Sequence, residues 1–215
     1  MSRRMTLALA ALCLAALSAG CGPVIVATAR MTMPDTTTMK AEYTIGATPV
    51  VVIPFRDPAR GYLESGDGID LATLVVGELQ MRTAATAVRS DVPVRTRFAG
   101  QDLEKAGWVE VGKAADAQLV LVGDIQEFRL RDPKTQGLLR GYTRVNLRVF
   151  DVQKNGIVYS AQGIETWVPD YGIGVAESDA SPERLRNALV AATATNIVKK
   201  FYTWEKKIGP EPRRY

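Results

Sequence analysis

Two runs of apolar residues constrain the fold of this chain more than any other feature. The first is Val50–Ile53, four consecutive β-branched residues, and the second is Leu119–Val122, which Gly123 ends. A continuous apolar run of this length is typical of a strand that is buried on both faces. We therefore expect a sheet with helices packed on it.

Segments with apolar residues at helical spacing supply those helices. A first helix of about four turns is expected to begin with Asp67 or Asp70 as its N-cap. The last helix has Ser181 as its N-cap and Pro182 in its first helical position, and we expect it to run to about Trp204.

Shorter elements are expected between the two apolar strands. Val92–Phe98 predicts a second strand, and Gln101–Ala106 predicts a short helix. That helix extends to Ala115 if Gly107 is tolerated as a kink.

The second half of the chain alternates polar and apolar residues, as strands with one exposed face do. Tyr142–Val152 is such a run, and the turn at Lys154–Gly156 predicts a hairpin whose return strand is Ile157–Trp167. A change in the parity of apolar positions between Ile125 and Phe128 indicates a bulge. Together the elements predict an α/β chain (an α+β sandwich) with a mixed sheet of about five strands.

The first residues have the pattern of an export signal. Arg3–Arg4 supply positive charge, and Leu7–Leu17 is an apolar run too short to span a membrane. The five residues that end at Cys21 resemble the lipobox of bacterial lipoproteins, in which the cysteine is acylated, palmitate being one of the groups, and becomes the mature N-terminus. The resemblance implies a signal peptide over residues 1–20 and a lipid on Cys21. Gly22 implies transfer to the outer membrane, facing the periplasm. The alternative is a plain cleavable signal in which the cysteine has no role.

A linker is expected between this lipid and the folded domain. Residues 21–48 contain Pro34 and the run Thr36–Thr38 with few apolar residues, which favours a flexible tether. An edge strand over Val24–Thr28 is the alternative for its early part. The folded domain then covers residues 49–204, and residues 205–215 form a tail.

The composition excludes several classes of site. The chain has no histidine, the commonest metal ligand and general base, and its two cysteines, Cys13 and Cys21, both lie in the export segment. The net charge of +4, which falls to +2 without Arg3–Arg4, is too small to indicate nucleic-acid binding. We therefore expect no disulfide, no metal, no cofactor, no nucleic-acid partner and no enzymatic activity.

The region from Pro49 to Tyr202 resembles a group of bacterial envelope domains that includes the N-terminal domain of TolB, the periplasmic part of CsgG, and LpoB. The resemblance is carried by the opening strand that ends in Pro54-Phe55, by the helix after it, and by the segment Ala114–Ile125. It implies a compact α/β domain used for docking in the periplasm, with no catalytic residues.

Two sets of residues are candidate partner-binding sites. Arg144 and Arg148 lie on one face of a strand, with Asn146 between them and two more arginines, Arg129 and Arg131, on the neighbouring strand. They form either a basic patch for an anionic partner or an ordinary solvated sheet face.

The second set lies in Trp167–Val175, which contains Trp167, Tyr171 and Ile173. Aromatic residues on a loop are typical of interface anchors. The alternative is a loop that folds back and buries its aromatic residues under the sheet.

These observations favour a non-enzymatic, lipid-anchored periplasmic protein that docks to, assembles or activates another envelope complex, held to the membrane through Cys21. One alternative is an oligomeric subunit of an outer-membrane secretion channel, against which the connections Arg131–Gly141 and Pro169–Ala180 are short and polar. Another is an enzyme that acts through carboxylates alone, for which no pair of acidic residues is evident.

Overall fold

A computed structural model describes residues 36–57, 61–62, 66–83, 85, 88–131, 138–170, 174–176 and 181–207. The described chain divides into two units, one spanning Lys40–Trp204 and the other containing Thr36–Met39 and Glu205–Lys207. Its strands are β1 (Thr36–Met39), β2 (Val50–Val52), β3 (Val88–Arg89), β4 (Leu119–Arg131), β5 (Leu138–Asp151), β6 (Gly156–Val168), β7 (Val175–Ala176) and β8 (Trp204–Lys207). Its helices are α1 (Gly66–Arg82), α2 (Val92–Arg97), α3 (Leu103–Ala106), α4 (Trp108–Ala114) and α5 (Pro182–Val198).

One sheet of the strands β2 to β7 organises the larger unit. Its strand order is β3-β2-β4-β5-β6, and β7 pairs with β5 beyond the end of β6. β2 runs parallel to β3 and β4, whereas β4, β5 and β6 form an antiparallel meander. The prediction of a mixed sheet with helices packed on it, an α+β fold, is confirmed. β1 and β8 form a separate two-stranded sheet.

The long helices α1 and α5 cover one face of the sheet. Apolar side chains of β2, β4 and β5 on this face, including Val50, Leu121 and Leu147, are nearly inaccessible to solvent. The helices supply the matching side chains, among them Leu71, Val75 and Leu79 of α1 and Val190, Ala194 and Ile197 of α5.

The short helices α2 to α4 cover the other face, but only at one end. Val94, Leu103 and Val111 pack there against Val51 and Val120, which explains why both apolar runs are buried on both sides. Of the helices that the structure describes, none is long and apolar enough to cross a membrane.

Several local predictions are confirmed. The hydroxyl of Ser181 accepts a hydrogen bond from the backbone N–H of Arg184 at 3.1 Å, so it caps α5. Gly107, with φ of 86°, separates α3 from α4. The register of β4 shifts between Ile125 and Glu127, where the bulge was expected.

Other local predictions are wrong. Val92–Phe98 is not a strand, because Pro93 lies in the first turn of α2, where its missing N–H leaves no hydrogen bond unmade. Helix α5 ends at Val198 rather than Trp204, since the chain turns there and buries Phe201.

The acidic residues at the start of α1 also differ from expectation. The helix begins at Gly66, so Asp67 and Asp70 lie inside its first turns rather than at the N-cap. Both carboxylates accept hydrogen bonds at 2.7 Å from Arg186 of α5, which ties the two long helices together.

The expected flexible linker is wrong for residues 36–48. Thr36–Met39 forms β1, and within the larger unit Ile45 is only 3% exposed. The Tyr43 ring stacks on Tyr159 of β6, with centroids 5.5 Å apart. The earlier part of the proposed tether, with Val24–Thr28 and the lipid site Cys21, lies outside the described residues.

Candidate functional site

Cross-strand rows place a group of aromatic and arginine side chains on one face of β4, β5 and β6. One row consists of Arg129, Tyr142 and Trp167, each directly opposite the next on the neighbouring strand. The adjacent row consists of Glu127, Arg144 and Glu165. Side chains opposite each other in a sheet lie on the same face and within contact distance. We call the set formed by Arg129, Arg140, Tyr142, Arg144 and Trp167 the aromatic–arginine face.

The rings and guanidinium groups of this face are stacked on one another. The ring centroids of Tyr142 and Trp167 are 4.3 Å apart. The guanidinium of Arg129 lies 4.5 Å from the Tyr142 centroid, and that of Arg140 lies 4.3 Å from the Trp167 centroid. Stacking of a guanidinium on an aromatic ring is favourable and restricts both side chains. The face is therefore ordered before any partner binds.

A hydrogen-bonded chain of polar groups fixes the adjacent row. Arg144 donates from its Nε to the Tyr142 hydroxyl at 3.0 Å and from a terminal nitrogen to Glu165 Oε1 at 2.9 Å. The Tyr142 hydroxyl donates to the same carboxylate oxygen at 3.0 Å. Burial, followed by this hydrogen bond to a carboxylate, raises the pKa of Tyr142. Arg129 is paired with Glu127.

The same face carries hydrogen-bond donors without acceptors. The Nε atoms of Arg129 and Arg140 are buried and, in the described part of the chain, meet no acceptor. Arg140 forms no ion pair with any described carboxylate. The buried Nε atoms cannot reach another molecule, but the exposed parts of the guanidinium groups are suited to binding its carboxylate or carbonyl oxygens.

The aromatic–arginine face is open to solvent. The side chain of Arg129 is 32% exposed and that of Arg144 is 48% exposed, while Trp167 is half-buried. Tyr142 is only 2% exposed, so the accessible part of the face consists of the arginines and Trp167. Helices α2 to α4 end before these rows, and no described helix packs over them. The face is thus an ordered surface that another molecule can contact.

The structure brings together only part of the predicted site. Arg144 and Trp167 lie on one face, two positions apart across β5 and β6. Trp167 belongs to β6 rather than to a loop, so neither a loop anchor nor a residue folded under the sheet describes it. Tyr171 and Ile173 lie outside the described residues.

Arg148 belongs to a different group, which we call the Asp124 cluster. The Asp124 carboxylate accepts hydrogen bonds from Arg56 at 2.7 Å and from Arg148 at 3.1 Å. The Tyr62 hydroxyl donates to Glu104 at 3.0 Å and lies 3.5 Å from Asp124. Burial, followed by the negative charges of Asp124 and Glu104, raises the pKa of Tyr62.

The Asp124 cluster is an internal connection of the fold. Asp124 is 6% exposed and is neutralised by two arginines, so it offers no charge to a ligand. The cluster joins the end of β2 to β4, β5 and helix α3. Arg144 and Arg148 lie on the same face of β5 but pair with different carboxylates, Arg144 with Glu165 and Arg148 with Asp124. A role of Arg148 in partner binding stays a prediction.

Known proteins give no family for this chain. No family model matches it, and no curated protein matches its sequence. Solved structures that it resembles include the PelC dodecamer from Paraburkholderia phytofirmans, with 19% identity, a TM-score of 0.43, and coverage of 75% of this chain and 95% of that chain.

Two further solved structures are also similar to this chain. Lipoprotein GNA1162 from Neisseria meningitidis is 12% identical, with a TM-score of 0.43 and coverage of 71% of this chain and 99% of that chain. The C-terminal domain of LpoB from Salmonella enterica is 13% identical, with a TM-score of 0.36 and coverage of 57% and 85%. The resemblance to the TolB domain and CsgG stays a prediction.

Proposed function

We propose that this chain is a lipid-anchored protein of the bacterial cell envelope that docks a partner protein on its aromatic–arginine face. The pattern around Cys21 supports the anchor, and the absence of histidine removes the commonest catalytic base. The proposed location is the outer membrane, facing the periplasm. Proteins that dock in this way include activators of envelope enzymes and assembly factors.

The observation that carries the proposal is the stacking of Arg129 and Trp167 on the buried Tyr142, at an open sheet face. Tryptophan and arginine are among the residues that contribute most binding energy in protein interfaces. Here they are held by stacking and by the Glu165 hydrogen bonds before binding. An ordered surface of this kind loses little side-chain entropy when a partner binds, which strengthens association.

Photocrosslinking in intact cells tests the proposal. A photoreactive residue is placed at Glu127, whose side chain is 38% exposed in the row beside the aromatic stack. The matched control is Lys154, 72% exposed in the turn between β5 and β6, at the other end of the hairpin. Crosslinked products are identified by mass spectrometry.

We expect a protein other than this chain to be crosslinked reproducibly from Glu127 and not from Lys154. Identical products from both positions, or none from Glu127, would contradict docking on this face. Capture of identical chains alone would replace the proposal with self-association, as in the secretion-channel alternative.

A further inference from the structure

The outer edge of β6 is the second feature that points to binding. β6 is the last strand of the sheet on this side and spans thirteen residues, whereas β3 at the opposite edge spans two. Among the described residues, no main-chain group pairs with the outer side of β6. Exposed strand edges of this length readily accept a strand from another chain.

The sequence of β6 carries little protection against such pairing. Edge strands are commonly guarded by lysines, prolines, several charged residues or β-bulges, of which β6 has only a bulge. β6 contains a single charged residue, Glu165, and its Ile157 is 56% exposed. A bulge at Gly163, with φ of 65°, interrupts the strand and leaves Ile164–Val168 as its regular final part.

The hydrogen-bond pattern shows which residues of this final part face outward. In β4, the main-chain groups of Leu121, Gly123 and Ile125 form hydrogen bonds with the chain that follows β2. The main-chain groups of the residues between them therefore point toward β5. In β5, the same alternation directs the main-chain groups of Val145 and Thr143 toward β6, where they pair with Ile164 and Thr166. The N–H and C=O groups of the residues between, Glu165 and Trp167, therefore point away from the sheet.

The charge of the row at Glu165 indicates what lies beside this edge. The row reads Glu127, Arg144, Glu165, so its signs alternate from strand to strand. Only Oε1 of Glu165 is engaged, by Tyr142 and Arg144, and no described group bonds to Oε2. A cation on an added strand completes the alternation, since opposite charges on neighbouring strands attract.

We propose that an extended segment of the partner protein pairs with Ile164–Val168 as an added strand and places a lysine or arginine beside Glu165. This inference rests on the proposed docking function and specifies its geometry. Main-chain bonds to Glu165 and Trp167 supply affinity, and the charge at Glu165 supplies selectivity. The added strand lies directly beside Trp167 and extends the aromatic–arginine face.

Peptide probes test the added strand on the purified full-length protein. One capped eight-residue peptide alternates lysine with valine, and a second alternates glutamate with valine. Hydrogen–deuterium exchange at the amides of Glu165 and Trp167 reports main-chain pairing. We expect slower exchange at both amides with the lysine peptide, which binds about threefold more tightly than the glutamate peptide, as one exposed ion pair allows.

Two variants separate charge from main-chain pairing. Glu165→Lys should reverse the preference between the peptides. Glu165→Ala and Glu165→Pro both lack the carboxylate, but only proline lacks the outward N–H, so only the proline variant should lose protection at Trp167. The charge reversal remains decisive if the proline variant does not fold.

Three results would overturn the proposal. These are unchanged exchange with either peptide, a preference that Glu165→Lys does not reverse, and amides already protected without peptide because this chain covers its own edge. Each is distinguishable from failure of the docking function, because capture of a partner from Glu127 is measured independently.

Discussion

Two glycines of helix α1 should respond to alanine in opposite directions. A Cβ at Gly68 would lie 2.0 Å from the carbonyl oxygen of Phe55, so β2 and α1 would have to move apart. The N–H of Phe55 also donates to the Gly68 carbonyl at 3.1 Å, which fixes this close approach. A Cβ at Gly77, in the same helix, would meet no described atom within 4 Å beyond its chain neighbours and its own helix backbone.

The two magnitudes follow from packing and helix propensity. Overpacking lowers the free energy of unfolding by about 3 kcal/mol when backbone must shift, whereas the helix propensity of alanine raises it by about 1 kcal/mol. The free energy of unfolding of Gly68→Ala should therefore be about 2 kcal/mol lower than that of the wild type. Gly77→Ala should gain about 0.5–1 kcal/mol from propensity alone. For a protein of this size, these values lower the melting temperature by about 4–8 °C and raise it by about 1–4 °C.

Thermal unfolding of the two variants and the wild type, followed by circular dichroism, provides the measurement. Gly77→Ala is the matched control, because it makes the same chemical change in the same helix. A Gly68→Ala variant as stable as the wild type would refute the close approach of α1 to the end of β2. A destabilised Gly77→Ala variant would show that the outer side of α1 is covered.

Three further predictions concern the buried cluster and the anchor. Asp124→Ala should lower the free energy of unfolding by about 2 kcal/mol, which is less than for a fully buried ion pair because Arg56 and Arg148 are partly exposed. The control is Glu110→Ala, at an exposed pair with Lys113, which should leave the denaturation midpoint unchanged. The pKa of Tyr62 is higher in the folded than in the unfolded state, where it is about 10, so the folded state favours the protonated phenol. This contribution to the free energy of unfolding is constant below about pH 10 and falls as the pH rises above it. Tyr62→Phe should therefore lose less stability than the wild type between pH 8 and pH 11 in urea titrations, and an equal loss would contradict this role. Cys21→Ser should move the protein from the membrane to the soluble fraction, with loss of the acyl mass at the N-terminus, whereas retention in the membrane would contradict lipidation.

Patterns that depend on neighbouring residues were predictable from the sequence. The apolar runs Val50–Ile53 and Leu119–Val122 and the cap at Ser181 appear as expected, because burial on two faces and capping are each determined within a short stretch. Val92–Phe98 was ambiguous for the same reason. Its alternating β-branched residues fit a strand, whereas Pro93 fits the first turn of a helix, and packing of Val94 against α4 favours the helix.

The composition of the aromatic–arginine face was less predictable, because it depends on strand register. In the hairpin, Asp151 pairs with Gly156, and without irregularities this register would place Glu165 opposite Tyr142. Two register shifts between β5 and β6 place Trp167 there instead. The sequence contains the signal for one of them in Gly163, which adopts a positive φ.

The Asp124 cluster was missed for a similar reason. Asp124 follows Gly123 at the end of an apolar run, and such a residue is expected to be solvated. Its partner Arg56 is 68 residues away and reaches it only because β2 and β4 are parallel neighbours. Long-range ion pairs of this type require the sheet order, which local patterns do not determine.

The most direct test of docking on the aromatic–arginine face is the affinity of the partner captured from Glu127 for the wild type and for Trp167→Ala. Trp167 contacts Tyr142 and the Arg140 guanidinium, so its loss removes the centre of the stack. A central interface tryptophan is worth about 2 kcal/mol or more, and calorimetry should therefore show binding weakened by about 30-fold. Trp108→Ala, which removes a tryptophan that contacts Tyr62 away from this face, should bind normally. Equal affinities for the wild type and a folded Trp167→Ala variant would contradict the proposal.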